Sequence, residues 1–199
     1  MRWTAILPIK EVGERKSRLA GRLSPEARAA LSEHMVIHVI ECLRQAEAIE
    51  RIILLSPARP AYAGTEWRKD EGRGLNAELA GLRTQLASSP LVVIHGDLPL
   101  LSPVDVAALV DGADMGCAIA PDRHGTGTNA LAIAADLPFA FAFGHGSCAR
   151  HSMAAADKGR IVHRTGLALD LDTPEDMDAA IAAGLKLPDS LAMNRDSLG

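Results

Sequence analysis

Five short apolar runs constrain this chain more than any other feature of its sequence: Thr4–Pro8, Arg51–Leu55, Leu91–Ile94, Gly116–Ala120 and Ala130–Ala134. Each has strand length, and several carry β-branched residues with turn formers nearby. Their hydrophobicity is continuous rather than alternating, which suits strands buried on both faces of a mostly parallel sheet. Between the runs the apolar period changes to that of a helix. Ser24-Pro25 offers an N-cap and a first-turn proline, after which Leu31, Met35, Val39, Cys42 and Ala46 share one face. Leu75, Leu79, Leu82 and Leu86 form a second stripe, and Ser102-Pro103 opens a third helix holding Val106, Leu109 and Val110. A fourth helix is expected from Cys148 to Asp157 with Ser147 as N-cap. Thr173-Pro174 opens the last, with Met177, Ala180 and Ile181 directed inward. Alternating strands and helices predict a three-layer, Rossmann-like α/β fold, a mostly parallel sheet flanked by helices. With 199 residues, no internal repeat and no linker, the reading is one domain over 1–187 and a polar tail over 188–199.

Composition narrows the function. Aromatic residues make up 3% of the chain, too few for the stacking platforms of a single-stranded nucleic-acid binder. A net charge of −4 provides no general attraction to nucleic acid or to an anionic membrane. The three cysteines, Cys42, Cys117 and Cys148, are widely spaced, which argues against a disulfide framework or structural zinc. No apolar run approaches the roughly 18 residues of a membrane span, and MRWTAILPIKE is too short and too soon charged for a signal peptide. A cytoplasmic protein is expected. Scattered surface apolar residues leave a homodimer open.

In open α/β sheets, ligands bind beyond the carboxyl ends of the strands, so the residues following each run are informative. After the first run, Lys10, Arg15, Lys16 and Arg18 place four cations within nine residues, in a loop able to wrap a triphosphate. It lacks the GxxxxGK[ST] pattern, and a solvated basic loop is its plain structural reading. Gly96-Asp97-Leu98-Pro99 puts an aspartate at the sheet edge, where it either ligates magnesium or closes a turn. Gly125-Thr126-Gly127-Thr128-Asn129 supplies backbone N–H groups for an anion nest, or an ordinary glycine-rich turn. Phe143-Gly144-His145-Gly146-Ser147 runs into a helix start, suited to an anion and equally to simple capping. In an extended Leu169-Asp170-Leu171-Asp172, both aspartates face one way and repel unless a cation lies between them. Capping of the last helix would explain Asp172 but not Asp170. Jointly these features supply what a nucleotide, a second phosphorylated ligand and one or two Mg²⁺ ions require.

The ordered motifs PxK, KSRL, GLN, GDLPLL, APDRxGTGTNAL, FGxGS and LDLDTP strongly resemble the CofC/FbiD family over roughly Ile6 to Asp178. These are guanylyltransferases of coenzyme F420 biosynthesis with a MobA-like nucleotidyltransferase fold. The resemblance implies that GTP guanylylates a phosphorylated three-carbon acid (2-phospho-L-lactate, phosphoenolpyruvate or 3-phospho-D-glycerate) and releases pyrophosphate. It implies Asp97, Asp170 and Asp172 as Mg²⁺ ligands, and Thr128, Gly144 and Ser147 as the acid site. Lys10, Lys16, Ser17 and Arg18 would face the GTP phosphates and Asn76 the nucleoside, with Lys16, Arg18 and Asp97 nearest the chemistry. Two positions depart from the family pattern: Gly96 stands where alanine is expected, and His145 where proline is expected. A molybdopterin or sugar-phosphate transferase on the same scaffold, a DxD glycosyltransferase and a non-catalytic nucleotide-binding module are the alternatives.

Overall fold

The computed structural model describes residues 2–9, 16–86 and 89–186. Lys10, Arg15 and the 188–199 tail therefore lie outside the described residues. Seven strands form one sheet: β1 (Trp3–Pro8), β2 (Ile49–Ser56), β3 (Glu66–Lys69), β4 (Leu91–Ile94), β5 (Cys117–Pro121), β6 (Thr128–Ile133) and β7 (Gly159–Ile161). Their order is β3-β2-β1-β4-β6-β5-β7. All pairings are parallel except those of β6, which runs antiparallel to both β4 and β5. The short β5–β6 connection forces that reversal, since a parallel crossover needs a dozen or more residues.

The continuous apolar runs are explained by burial on both faces. Ala5, Leu7, Ile52, Leu54, Val92 and Ile94 join one core cluster, while Ile6, Ile53, Leu55, Leu91 and Val93 join another. The first cluster is closed by α1 (Pro25–Gln45) and α3 (Pro103–Gly112), the second by α2 (Leu75–Gln85) and α4 (Ser147–Ala155). This is the three-layer α/β architecture expected from the sequence. A third cluster joins Leu31 and Met35 to Leu171 and to Met177 and Ala180 of α6 (Pro174–Ala182). Ile181, expected to point inward, is 40% exposed, because α6 covers that cluster with only the Met177–Ala180 side.

Two strands escape a hydrophobicity-based reading. Glu-Trp-Arg-Lys of β3 and Gly-Arg-Ile of β7 are the sheet's edges, where charge protects unpaired backbone from association. A bidentate pair from Arg51 to Glu66, at 2.8 and 2.9 Å, fastens β3 to its neighbour.

The short helix α5 (Thr165–Ala168) is anchored to α3 through Asp105. That carboxylate caps α3, accepting from the Ser102 backbone N–H and hydroxyl at 3.0 and 2.6 Å. Its other oxygen accepts from Arg164 Nε at 2.8 Å. Gly166 sits so close that an added Cβ would collide with both the Asp105 carboxylate and the Leu100 carbonyl oxygen. We expect Gly166→Ala to destabilise the protein by about 1–3 kcal/mol through overpacking. The change should appear as a lower urea midpoint with an unchanged m-value.

Candidate active site

A cleft of about 330 Å³ opens at the carboxyl edge of β1, β4 and β5. Because β6 runs the other way, its first residues border the same cleft, which brings in Thr128 and Asn129. The last wall is the segment after α5. There the Leu171 N–H donates to the Asp97 carbonyl at 3.0 Å, setting the Leu169–Asp172 stretch beside the end of β4. Leu171 is fully buried in the third core cluster, so Asp170 and Asp172 turn to the cleft on the opposite side of the chain.

Lys16 lines the cleft beside Asp97 and Asp172. Its backbone is left-handed (φ 57°), unusual for a non-glycine residue, and it precedes a single 3-10 turn over Ser17–Leu19. The ammonium is buried and donates to Asp97 Oδ2 at 2.7 Å and to Asp172 Oδ1 at 2.6 Å. Burial disfavours its charge, but the two carboxylates outweigh that and raise its pKa above the ordinary lysine value. Burial also works to raise the Asp97 carboxyl, yet Lys16 and then His95 hold it below the usual carboxylate range. Asp97 Oδ1 is buried and has no hydrogen-bond partner among the described residues.

Asp170 makes no ion pair among the described residues. Its Oδ1 accepts from Asn129 Nδ2 at 3.1 Å. Burial first, and then the charge of Asp97, push its pKa up to about 6. The Asn129 amide also donates to the Leu167 and Ala168 carbonyls, each at 3.1 Å, tying β6 to the end of α5. Helix α6 is capped by Thr173 in a reciprocal box with Asp176, so capping does not account for Asp172. Among the described residues, no group of three His, Cys, Asp or Glu side chains gathers into a ready-made metal cluster.

At the other end of the cleft, Thr128, Gly144 and Ser147 converge as the sequence suggested. The cap of α4 is Gly146 in the left-handed region (φ 68°), and Ser147 is the first helical residue rather than the N-cap. Its N–H donates to the Gly144 carbonyl, while the Cys148 N–H donates to the Thr126 carbonyl, both at 3.1 Å. The glycine-rich loop before β6 is organised around Asp122, which accepts from the Thr126 N–H at 2.8 Å. That amide is thus already engaged within the expected anion nest. Beneath this end, fully buried His151 contacts Thr128 Oγ1 through Nδ1 at 3.0 Å and accepts the Ala142 N–H on Nε2 at 3.0 Å. Burial, then Arg150 and His95, push its pKa down to about 4, so the ring is neutral at physiological pH.

Other expected residues stand apart. Ser17 and Arg18 are exposed on the 3-10 turn and do not line the cleft. Asn76 lies outside it too: its side chain accepts the Phe143 N–H at 2.7 Å and donates to the Phe143 carbonyl at 3.2 Å. Sequence reasoning missed His95, Asn129 and His151 as builders of the site. The spacing of Ser147 and His151, four residues apart on one helical face, was the available signal for His151.

The family described as Guanylyl transferase CofC like matches residues 3–186. Phosphoenolpyruvate guanylyltransferase of Rubrobacter xylanophilus is 39% identical over 193 residues, covering 90% of this chain and 94% of that protein. 3-phospho-D-glycerate guanylyltransferase of Phenylobacterium zucineum is 37% identical over 190 residues, covering 86% of each. In fold, the chain is similar to a crystal structure from Desulfovibrio desulfuricans titled a putative nucleotide-diphospho-sugar transferase. The TM-score is 0.71 at 17% identity, over 90% of this chain and 87% of that one.

Asn129 offers a direct check on how the cleft is assembled. Asn129→Leu would strip the Leu167 and Ala168 carbonyls of their donor in a buried seam. We expect a stability loss of about 2–4 kcal/mol, measured by chemical denaturation.

Proposed function

We propose that this chain, which belongs to the CofC-like guanylyl transferase family, transfers GMP from GTP to a phosphorylated three-carbon acid and releases pyrophosphate. Phosphoenolpyruvate and 3-phospho-D-glycerate, named for its relatives, are the leading acceptors. 2-Phospho-L-lactate has the same chemistry, and a cytoplasmic role in coenzyme F420 biosynthesis accompanies this reading. The observation that carries it is the buried Lys16 ammonium bridging Asp97 and Asp172, in one cleft with Thr128 and Ser147.

The reaction brings two polyanions together. An oxygen of the acid's phosphate, already ionised at neutral pH, forms a new bond to the α-phosphorus of GTP. The bond from that phosphorus to the bridging oxygen of pyrophosphate breaks, and no proton need be removed from the nucleophile. What the protein must supply is charge neutralisation and alignment. Lys16 provides a fixed cation at the triphosphate end, and we assign Lys10, Ser17 and Arg18 of the same basic loop to the triphosphate and Asn76 to the nucleoside side. Thr128, Gly144 and Ser147 are assigned to the acid.

The carboxylates suit magnesium. The donor set fits the ion: hard carboxylate oxygens, an Asp97 Oδ1 that is buried and unpaired among the described residues, and an Asp170 whose pKa is raised by burial and by the charge of Asp97. Asp97 and Asp170 would hold the ion, with Asp172 beside them. When bound, it would supply further neutralisation of the phosphate oxygens. Lys16 keeps Asp97 ionised and donates to Asp172, and Asn129 donates to Asp170 at the cleft wall.

Pyrophosphate release with GTP, ATP and CTP against the three acids tests the reading. GTP with at least one acid should turn over, and binding without turnover would favour a nucleotide-binding module. Asp170→Asn should abolish turnover in a protein that still melts cooperatively; near wild-type kcat at saturating Mg²⁺ would refute the metal assignment. Lys16→Met should lower kcat/KM by roughly 10²–10³, the typical loss of one preorganised electrostatic contact.

A further inference from the structure

We propose that His151 is a positioning residue that turns the Thr128 hydroxyl into a one-way hydrogen-bond donor facing the cleft. The proposal rests on the reading of Thr128 as part of the acid site. Its basis is the pair of contacts made by one imidazole. The Ala142 N–H donates to Nε2 at 3.0 Å, so Nε2 presents a lone pair and carries no proton. In a neutral ring the proton then belongs to Nδ1. Nδ1 lies 3.0 Å from Thr128 Oγ1, so the ring donates and the hydroxyl oxygen accepts. With that lone pair committed, the hydroxyl's own hydrogen must point elsewhere. Thr128 lines the cleft, and among the described residues His151 is the hydroxyl's hydrogen-bond partner, so its hydrogen is available to an anion bound there. A free hydroxyl rotates between donor and acceptor roles; this one is set as a donor before the anion arrives.

The ring cannot easily leave this arrangement. It is fully buried and packs edge-on against Phe143 with centroids 4.7 Å apart. It also lies against Phe139 at 5.7 Å. The Ala142 amide that sets the tautomer belongs to the segment leading to Gly144, another cleft residue. One side chain therefore couples the position of that segment to the polarity of the Thr128 hydroxyl. The chemistry selected is an anionic acceptor oxygen, such as a phosphate or carboxylate of the acid.

Two substitutions separate this role from simple packing. Asparagine places an N–H near the Nδ1 position and keeps the donor to Thr128 while leaving the Ala142 N–H without a partner. Glutamine places its oxygen near the Nε2 position and keeps the Ala142 contact while losing the donor. Steady-state kinetics with GTP and phosphoenolpyruvate or 3-phospho-D-glycerate should show KM for the acid rising roughly 10- to 100-fold in His151→Gln, the scale of one hydrogen bond to a charged group. His151→Asn should raise that KM clearly less than His151→Gln, and KM for GTP should be unmoved in both. On a Thr128→Val background the His151→Gln penalty should vanish, since the group it acts through is gone. In the wild-type protein, ¹⁵N shifts at neutral pH should place the His151 proton on Nδ1.

Equal impairment of the two variants, a glutamine penalty that persists without the Thr128 hydroxyl, or a proton on Nε2 would each overturn the proposal. If Thr128→Val raises the acid's KM while His151→Gln does not, the acid site stands and the coupling falls. If Thr128→Val leaves the acid's KM unchanged, the assignment of Thr128 to the acid fails, and the proposal with it.

Discussion

A single buried ammonium holds together the edge of the sheet where the chemistry is placed. A backbone hydrogen bond between two segments far apart in sequence, Leu171 N–H to the Asp97 carbonyl, brings Asp97, Asp170 and Asp172 to one cleft. Carboxylates gathered along one wall repel unless a cation offsets them. Lys16 pairs with two of the three, at 2.7 and 2.6 Å, and among the described residues Asp170 has a hydrogen bond but no charge partner. Removing one member of a buried ion pair is costly because the remaining charge cannot recover its water. The loop containing Lys16, the end of β4 and the approach to α6 are therefore tied to one another by the charges they contribute.

That arrangement needs rigid support on the far side of Asp170, and the small residues of β5 and β6 provide it. Ala118, Ala120, Ala130 and Ala132 line the face against which α3 and Leu167 of α5 pack, which allows the helices to approach closely. Gly112 and Gly166 extend the same logic, since a side chain at either would collide with its neighbours. With α5 pressed down and held by Arg164 to Asp105, the Asn129 amide can span from β6 to two α5 carbonyls and to Asp170. Gly96 follows a similar rule. A Cβ there would lie 3.1 Å from Val36 Cγ2, so glycine relieves a tight contact with α1 at the position where the family pattern has alanine.

The parts legible in the sequence are those with a local physical signature. Runs buried on both faces announced the five central strands, and Ser-Pro and Thr-Pro pairs announced α1, α3 and α6. The two edge strands were not legible, because at an edge charge replaces hydrophobicity and the pattern resembles a loop. Of the site, Asp97, Thr128, Gly144, Ser147, Asp170 and Asp172 converge, since each lies where a strand or helix meets the sheet's edge. Arg18 and Asn76 do not join them: a charge run gives no indication of which member turns inward, and an asparagine near a cleft is as readily used to clasp backbone, as with Phe143. Lys16 is buried and has a left-handed backbone, a conformation that no composition-based rule reports. The family resemblance supplied the acid and the nucleotide; residue patterns alone reached only a cleft for two phosphorylated ligands and a cation.

The two ends of the cleft are built from different chemistry, and the difference suits the proposed reaction. At the Lys16 end the cleft presents an ammonium and the carboxylates of Asp97, Asp170 and Asp172, a set suited to a triphosphate that arrives with a cation. At the Thr128 end the cleft presents hydroxyls, glycine backbone and, behind them, an imidazole kept neutral by burial. A cation seated on the acid's phosphate would bind it tightly but would also withdraw charge from the oxygen that must attack. Neutral donors orient the same phosphate while leaving more of its negative charge available to the α-phosphorus. The penalty is weaker ground-state binding of the acid, which does not slow a step whose transition state is stabilised elsewhere. In the proposed reaction a neutral His151 beneath Thr128 therefore complements the charged Lys16: one end of the cleft would stabilise the charge of the leaving group, and the other would preserve the charge of the nucleophile.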